Sequence, residues 1–287
     1  MKNTMWKKIF AVMMILVLVL GTFAGCGGNG QSEGEQAQGG AEGEDTSLQA
    51  VLDAGKLHVA ISPDYAPYEY LDLATGEIKG SDVEFSKYIA DKLGVEVVFE
   101  QMSFESCLAA VNTGSVDLVI SCMGWKAERA ESMELSEQYN SDKDIANTIL
   151  IKADQEDQLK TAADFEGKKV VAQNGSAMYD KAAAELTGCE VEAVSNIADG
   201  IMMLSEGKVD GVVMALDVAN SYVGNYDGLA VSEFRFATEK TGNVVGAPKG
   251  HVALIEKVNE IIAEVESEGL YVQWFNEASA EAEAQGL

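Results

Sequence analysis

One stretch of the chain joins an apolar run to a side chain that could clamp a bound molecule. Residues 117–129 read DLVISCMGWKAER, in which a strand-like run gives way to small polar residues and then to Arg129. A guanidinium is a permanent cation with five N–H donors, which suits a clamp. The stretch therefore predicts that a core strand ends at a binding edge. The alternative is a strand-to-helix turn whose arginine stays in solvent and pairs with Glu128 or Glu131.

The other reactive side chains do not form a catalytic or metal-binding pattern. The two histidines are His58, inside a strand-like run, and His251, at a helix start, and both are predicted to be structural. No CxxC pattern or His/Cys cluster suggests a metal, so we expect no metal site, no cofactor and no catalytic residue. Apart from Cys26, the cysteines form an odd set: Cys107, Cys122 and Cys189.

The composition excludes two kinds of partner. A net charge of −27 argues against nucleic acid and against adhesion to anionic lipid. A hydrophobic fraction of 47% is that of a globular chain.

The amino terminus is typical of export. Three lysines precede an uninterrupted apolar run at residues 9–20, which is too short for a comfortable membrane span. The FAGC stretch that follows resembles a bacterial lipobox, so residues 1–25 are predicted to be a signal peptide and Cys26 the lipidated first residue. The alternative is an ordinary secreted chain that is cut nearby.

A low-complexity segment follows the predicted lipidation site. It is rich in Gly, Gln, Ala and acidic residues and has no aromatic or branched apolar residue, so residues 26–46 are predicted to be a flexible tether. The folded part is then expected at the outer face of the cytoplasmic membrane, held by its lipid anchor.

The rest of the chain contains one pattern twice, namely strand, helix, strand, helix, strand. In the first unit these elements are predicted at residues 57–61, 82–93, 95–100, 104–113 and 116–121. In the second they are predicted at residues 168–173, 178–186, 189–194, 197–206 and 209–215. The predicted N-caps are Ser81, Ser176 and Asn196, and glycines end the helices. The repeat is clearest where NTGSVDLVIS aligns with SEGKVDGVVM.

Two such units predict an α/β protein with two lobes, each a parallel sheet between helices. Ligands bind such sheets beyond the carboxyl ends of the strands. The candidate binding edges are therefore PDYAPYEY, SCMG, NGSAM and ALDVAN, facing one another across a cleft. The apolar stripe of HVALIEKVNEIIAEVESEG predicts a packed helix, with Tyr271, Trp274 and Phe275 in the core after it.

Several long motifs together resemble one family. They are SPDYAPYEYLDLATGEIKGSDVEFSKYIADKLG, AAVNTGSVDLVISCMGWKAERAESMELSEQYN, DFEGKKVVAQNGSA, GKVDGVV and VALIEKVNEIIAEV with GLYVQWF. They resemble the amino-acid-type solute-binding proteins (family 3) of bacterial ABC importers, which have the type II periplasmic-binding-protein fold. The resemblance runs from about residue 47 to residue 280. It implies a protein without catalysis that captures a small polar solute, an amino acid, and delivers it to a membrane permease.

The resemblance also implies a domain division. Lobe 1 would comprise residues 47–146 and 244–287, and lobe 2 residues 147–243. The two crossings, near 145–148 and 241–245, would be hinges of a clamshell.

Site residues follow from the same resemblance. Arg129 would grip the ligand's α-carboxylate with its planar fork, and the turn before it would supply backbone donors. Aromatic rings from the first lobe would sandwich the ligand, and a helix start in the second lobe would face its carboxylate. The implied ligand-binding residues are Tyr65, Tyr68, Phe104, Ser121, Cys122, Met123, Gly124, Arg129, Gly175, Ser176, Ala177 and Asp217.

The sequence departs from the family pattern at two positions. Gly124 stands where a Ser or Thr is frequent, and Ala215 stands where an aspartate binds the ligand's ammonium. Asp217 is our prediction for that ammonium contact, on the same face if the strand continues. Glu69 could serve instead, or the ligand could lack an ammonium there. Asp217 could also simply cap the following helix.

The sequence is also compatible with two other functions. The same fold supports dehydratases of small carboxylic acids, for which Glu69 or Asp217 would be the acid or base. It would also suit a lipid-anchored sensor.

Overall fold

The computed structural model describes residues 45–140, 146–237 and 242–287. The predicted signal peptide, the lipidation site at Cys26 and nearly all of the tether lie outside the described residues. Within the described ranges, no helix is long and apolar enough to cross a membrane.

The described part of the chain alternates strands and helices. The strands are β1 Lys56–Ile61, β2 Asp64–Tyr65, β3 Glu69–Leu71, β4 Ile78–Lys79, β5 Glu96–Gln101, β6 Leu118–Val119, β7 Met133–Tyr139, β8 Asn147–Lys152, β9 Lys169–Gln173, β10 Glu190–Val194, β11 Gly211–Ala215, β12 Leu229–Val231 and β13 Asn243–Pro248. The helices are α1 Ser47–Ala54, α2 Ser81–Leu93, α3 Phe104–Asn112, α4 Ala127–Ser132, α5 Ala177–Glu185, α6 Ile197–Ser205, α7 Leu216–Asn225, α8 Val252–Glu268 and α9 Leu270–Gln285. Two short 3₁₀ helices cover Ala153–Gln155 and Ala162–Phe165.

Two five-stranded open sheets form the framework. The first has the strand order β5-β1-β6-β13-β7 and the second the order β10-β9-β11-β8-β12. Helices α1, α2, α3 and α8 pack on the first sheet, and α5, α6 and α7 on the second. Helix α9 contacts α2 and α8 on one side and α7 on the other. The α/β fold with two flanked sheets is the one that the sequence predicts.

The prediction that both sheets are parallel was wrong for one strand in each. β1, β5 and β6 are parallel, as are β9, β10 and β11, but β13 runs against β6 and β7, and β8 against β11 and β12. β8 and β13 are the first strands after the chain passes from one sheet to the other. A strand that arrives from the cleft starts at the cleft edge and runs away from it, so it opposes its neighbours. The predicted hinge segments, 145–148 and 241–245, lie at these two passages and fall partly outside the described residues.

The helix starts were predicted well where the cap is local. Ser176 accepts a hydrogen bond from the Tyr179 N–H, and Asn196 accepts one from the Ala198 N–H, as N-caps do. Ser81 is not a cap, because α2 begins one residue earlier than predicted.

The cap position of α2 is Gly80, for a tertiary reason. Its φ is 131°, and a Cβ there would lie 2.1 Å from the Tyr68 carbonyl oxygen. Only glycine tolerates that backbone conformation and that close approach. The hydroxyl of Ser81 donates instead to the Tyr271 hydroxyl, at 3.0 Å.

A small antiparallel sheet, β2-β3-β4, follows the carboxyl end of β1 and was not predicted. Its connecting turn is held by Asp72, whose Oδ1 accepts hydrogen bonds from the Ala74 and Thr75 N–H groups. This sheet holds Tyr65 and Glu69, which are both buried, inside the cleft.

Candidate ligand-binding site

The two main sheets meet across a cleft at the carboxyl ends of their parallel strands. Asp64, in β2, accepts hydrogen bonds from the Gln173 amide at 3.0 Å and from the Ile197 N–H at 3.0 Å. The Tyr65 hydroxyl accepts from the Ala215 N–H at 2.7 Å. Lys126 and Asp180 form an ion pair across the same cleft. Two of the predicted binding edges, PDYAPYEY and ALDVAN, therefore contribute to one interface.

A cavity lies inside this cleft. Its empty volume is about 310 Å³, including the space at its mouth. The lining residues are Tyr65, Glu69, Phe104, Ser121, Cys122, Gly124, Arg129, Gln173, Ser176, Ala177 and Met178. Eight of the twelve residues proposed from the sequence are in this lining: Tyr65, Phe104, Ser121, Cys122, Gly124, Arg129, Ser176 and Ala177.

A second space adjoins the cavity. It shares Cys122, Gly124, Ala177 and Met178 with the first, and its empty volume is about 510 Å³. Its other borders are Trp125, Asn147, Lys181, Ala215, Gly242 and Asn243. A ligand headgroup in the first cavity would therefore have room for a side chain.

Arg129 is a buried cation in the first turn of α4. It is 5% exposed, its guanidinium lies 5.5 Å from the centre of the Phe104 ring, and its Nη2 donates to the Gly175 carbonyl at 2.8 Å. A second N–H group donates to the Gly124 carbonyl. No described carboxylate lies within ion-pair distance of it, so the pairing with Glu128 or Glu131 does not occur.

Burial has an electrostatic consequence for this arginine. Desolvation lowers the pKa of Arg129 to about 10, against the opposite effect of the Asp180 and Glu128 charges. The guanidinium is therefore charged at neutral pH, yet only neutral carbonyl groups bind it directly. Such a group is stabilised by an anion that enters the cavity.

The turn after β6 carries the hydroxyl and thiol of the site. The Ser121 hydroxyl donates to Glu69 Oε1 at 2.9 Å, and the Cys122 N–H donates to Asp82 Oδ2 at 2.6 Å. Cys122 has a φ of 44°, which re-aims the chain toward Gly124. Burial raises the pKa of the Cys122 thiol well above its usual value, so the thiol stays protonated.

The second sheet supplies uncharged groups. Gln173 is the last residue of β9, and Ser176 caps α5, whose first two residues are Ala177 and Met178. The first N–H groups of a helix have no partner within the helix, so they can donate to a ligand.

Four of the residues proposed from the sequence do not line the cavity. Met123 is fully buried in the core of the first sheet and offers only its carbonyl, to the Val244 N–H. Gly175 contributes its carbonyl to Arg129. Tyr68 is fully buried, and its hydroxyl donates to Asp217 Oδ2 at 2.5 Å, across the cleft.

Asp217 lies on a helix rather than on an extended strand. β11 ends at Ala215, which is the N-cap residue of α7, so Asp217 falls in the first helical turn. Its Oδ1 accepts from the Val218 N–H at 2.9 Å and its Oδ2 from Tyr68. Asp217 is therefore neither the N-cap residue nor a cavity wall.

Sequence reasoning missed two lining residues, Gln173 and Met178. The signal for Gln173 was available, because it ends a predicted strand directly before the NGSAM edge. Glu69, also in the lining, was only an alternative to Asp217. Among the described residues, no group of three His, Cys, Asp or Glu side chains could hold a metal ion.

Comparison with known families now identifies the class. Residues 57–277 match the model of the bacterial extracellular solute-binding proteins, family 3. The chain belongs to this family of solute-binding proteins. It is thus a substrate-binding component, as the sequence predicts. Its similarity to solved structures of such proteins confirms the two-lobed type II fold.

Individual relatives are similar over most of their length. The L-cystine-binding protein TcyA of Bacillus subtilis (strain 168) is 25% identical over 275 residues, covering 94% of this chain and 98% of the relative. The L-arginine-bound structure of the amino acid ABC transporter substrate-binding protein AbpA from Streptococcus pneumoniae is 31% identical, with a TM-score of 0.78. It covers 82% of this chain and 98% of that chain. The ancestral amino acid-binding protein AncCDT-1, a precursor of cyclohexadienyl dehydratase, is 26% identical, with a TM-score of 0.73. The match covers 80% of this chain and 98% of AncCDT-1.

Proposed function

We propose that this protein binds one α-amino acid in the cavity between its two sheets and delivers it to the permease of an ABC importer, without catalysis. TcyA and AbpA, named for cystine binding and for amino-acid transport with bound L-arginine, support an amino acid as the solute. The single observation that carries the proposal is the buried guanidinium of Arg129, which no described carboxylate neutralises.

The ligand's α-carboxylate supplies the missing anion. It displaces the Gly124 and Gly175 carbonyls from Arg129 and forms a bidentate pair with the guanidinium. Phe104, whose ring centre lies 5.5 Å from that guanidinium, and Tyr65 pack against the ligand. Ser121, Cys122 and Gly124 offer polar atoms from the first sheet, and the start of α5 at Ser176 and Ala177 offers N–H groups from the second. Tyr68, Met123, Gly175 and Asp217 support this set through the contacts described above.

The two separate sheets support a division into two lobes. We assign residues 47–146 and 244–287 to lobe 1 and residues 147–243 to lobe 2, with hinges at 145–148 and 241–245. Cross-cleft hydrogen bonds such as Asp64 to Gln173 stabilise the closed arrangement. Closure on a ligand should reduce the radius of gyration measured by X-ray scattering, and unchanged scattering at saturation would contradict the hinges.

The anchoring of the protein is a separate part of the proposal. Cleavage before Cys26 and lipidation of that residue would hold the folded part at the outer face of the cytoplasmic membrane. Mass spectrometry of the protein extracted from membranes would then find a lipid-modified Cys26 at the amino terminus. An unmodified terminus elsewhere would indicate an ordinary secreted chain.

A thermal-shift and calorimetry screen tests the binding function. The panel is L-cystine, L-arginine, L-histidine and L-glutamine, with the deaminated acid of each. A ligand at a hundredfold excess over its dissociation constant adds about 2.7 kcal/mol to the free energy of unfolding, a shift of several degrees. Binding of an amino acid without turnover supports the proposal. Turnover of a small acid, or no binding of any amino acid, would contradict it.

A further inference from the structure

The proposed function leaves the ligand's second charge without a partner. An amino acid brings an ammonium group as well as a carboxylate, and a buried ammonium needs a negative or carbonyl partner. Ala215 contributes no carboxylate, and its N–H is taken by the Tyr65 hydroxyl. The partner must therefore come from another part of the site.

Among the described residues that line the cavity, Glu69 is the only one with a carboxyl group. It belongs to β3 and is 1% exposed. Its Oε1 accepts from the Ser121 hydroxyl, and its Oε2 accepts no hydrogen bond from any described residue. A buried carboxyl oxygen without a donor is either protonated or in need of a cation.

The contacts of the neighbouring Asp82 indicate that Glu69 is protonated in the empty cavity. Asp82, on α2, is fully buried and accepts hydrogen bonds from Tyr271, Tyr139 and the Cys122 N–H, at 2.5, 3.0 and 2.6 Å. Three donors hold Asp82 as the carboxylate of the pair. Glu69, with a single donor, is therefore the member that carries the proton, and a side-chain hydrogen bond between the two carboxyl groups contributes to the pKa shift of each.

The pKa shifts agree with this geometry. Burial, and then the charge of Asp82, raises the pKa of Glu69 well above its usual range. Burial also raises the pKa of Asp82, while its three donors act in the opposite direction. The titratable groups that surround the pair are Asp64, Tyr65, Tyr68, Cys107, Cys122, Tyr139, Asp217 and Tyr271. Each of them is acidic. The cation that lines the same cavity is Arg129, whose N–H groups donate to the Gly124 and Gly175 carbonyls.

Other carboxylates around the cleft are already engaged. Asp217 accepts from Tyr68 and Val218. Asp64 accepts from Gln173, Ile197 and Ser62. Neither of them lines the cavity.

We infer that Glu69 binds the ammonium group of the ligand, and that an amino acid displaces the proton which Glu69 shares with Asp82. This inference rests on the proposed function. On binding, the O–H bond of the Glu69 carboxyl group breaks and its electron pair stays on the oxygen. The proton leaves to solvent, and the ligand keeps its ammonium. Glu69 thereby takes the charge-pairing role for which Ala215 has no side chain.

Calorimetry in two buffers of different ionisation enthalpy measures the released proton. We expect about one proton per molecule of the tightest-binding amino acid of the panel at neutral pH, and none with its deaminated acid. Glu69→Gln copies the protonated side chain, since its amide can donate to Asp82 and accept from Ser121. This variant should release no proton. It should bind the amino acid about 10- to 100-fold more weakly, and the deaminated acid as well as the wild type does.

Glu77→Gln is the matched control, because it makes the same chemical change at an exposed turn of the same small sheet. It should behave as the wild type does. Binding without proton release, or full affinity in Glu69→Gln, would overturn the assignment of Glu69 and leave the proposed function intact. Heat from none of the four amino acids would overturn the proposed function itself.

A ligand-independent measurement separates these outcomes further. Infrared difference spectroscopy of the empty protein at neutral pH should find a protonated carboxyl band that is lost in Glu69→Gln and retained in Glu77→Gln. Circular dichroism of both variants checks that they fold. If the wild type has no such band, Glu69 is already ionised and the displaced proton does not exist.

Discussion

The two halves of the molecule begin alike and end differently. Each has a Val-Asp step before its third parallel strand, and in each the aspartate accepts a hydrogen bond from the first strand. Asp117 accepts the His58 N–H at 2.8 Å, and Asp210 accepts the Lys169 N–H at 2.9 Å. Beyond the strand the halves diverge. β6 leads into the turn around Cys122 and on to Arg129, whereas β11 runs directly into α7.

The difference separates framework from chemistry. The first half supplies the charged groups of the cavity, Arg129 and Glu69, with Asp82 behind them. The second half supplies an amide from Gln173 and the start of α5. A repeated framework therefore does not imply a repeated role, since the charged groups of the cavity come from one side of the cleft.

The largest expected effect is at Arg129. Removing one partner of a buried charge pair costs about 2–5 kcal/mol, so Arg129→Ala should weaken amino-acid binding about thirtyfold or more. Arg129→Lys should also bind weakly, because an ammonium lacks the planar fork. Calorimetry measures both.

The other arginine of the chain offers the control. Arg235 is exposed and lies in the second half, where it donates to backbone carbonyls, so Arg235→Lys should retain full affinity. Near-normal affinity in Arg129→Ala would mean that the first half does not hold the carboxylate.

The shared aspartates should behave alike. Asp117→Ala and Asp210→Ala each leave a strand N–H without its acceptor, so each should lower the free energy of unfolding by about 1–3 kcal/mol. Chemical denaturation measures this loss, and ligand affinity should change little in either variant. A loss confined to one half would break the structural equivalence of the repeats.

Glu69 should make the stability of the empty protein depend on pH. A carboxyl group whose pKa is raised in the native state binds more protons there than in the unfolded chain. Its contribution to the free energy of unfolding is therefore greatest below about pH 4.3, the pKa in the unfolded chain. That contribution declines as the pH rises through the pKa of the native state. In thermal melts, the melting temperature of Glu69→Gln should fall less steeply with rising pH than that of the wild type. Parallel curves for the two proteins would contradict a protonated Glu69.

The smallest effect is expected at the cross-cleft pair of Tyr68 and Asp217. Tyr68→Phe removes one hydrogen bond that closes the lobes, worth about 0.5–1.5 kcal/mol, so affinity should fall about two- to tenfold. Asp217→Asn should have a similar effect in calorimetry. A larger loss in Asp217→Asn than in Glu69→Gln would move the ammonium contact to the second half.

Local signals in the sequence predicted most of the framework. Ser176 and Asn196 were recognisable as caps because a cap bonds within three residues. The strands of both repeats were visible as apolar runs between glycine stops. β2, β3 and β4 have two or three residues each, which is too few to show the alternation of apolar and polar residues that marks a strand.

The site could be predicted only in part for a related reason. Arg129 stands in a motif with its own turn, so sequence alone pointed to it. The pairing of Glu69 with Asp82 arises when β3 and α2 pack around Gly80, and neither residue has a local signal for burial. Whether Asp217 lies on a strand or on a helix depends on where β11 ends. The pairing of β11 with β8 stops at Ala215, and the side-chain pattern of the sequence does not indicate that end.

A crystal structure of the protein with the tightest-binding amino acid of the panel tests the central claim most directly. The ligand should lie between the two sheets, with its α-carboxylate bonded to two N–H groups of Arg129. Its ammonium should lie within hydrogen-bond distance of Glu69. A ligand bound outside the cleft, or one whose carboxylate faces away from Arg129, would show that Arg129 is not the carboxylate clamp.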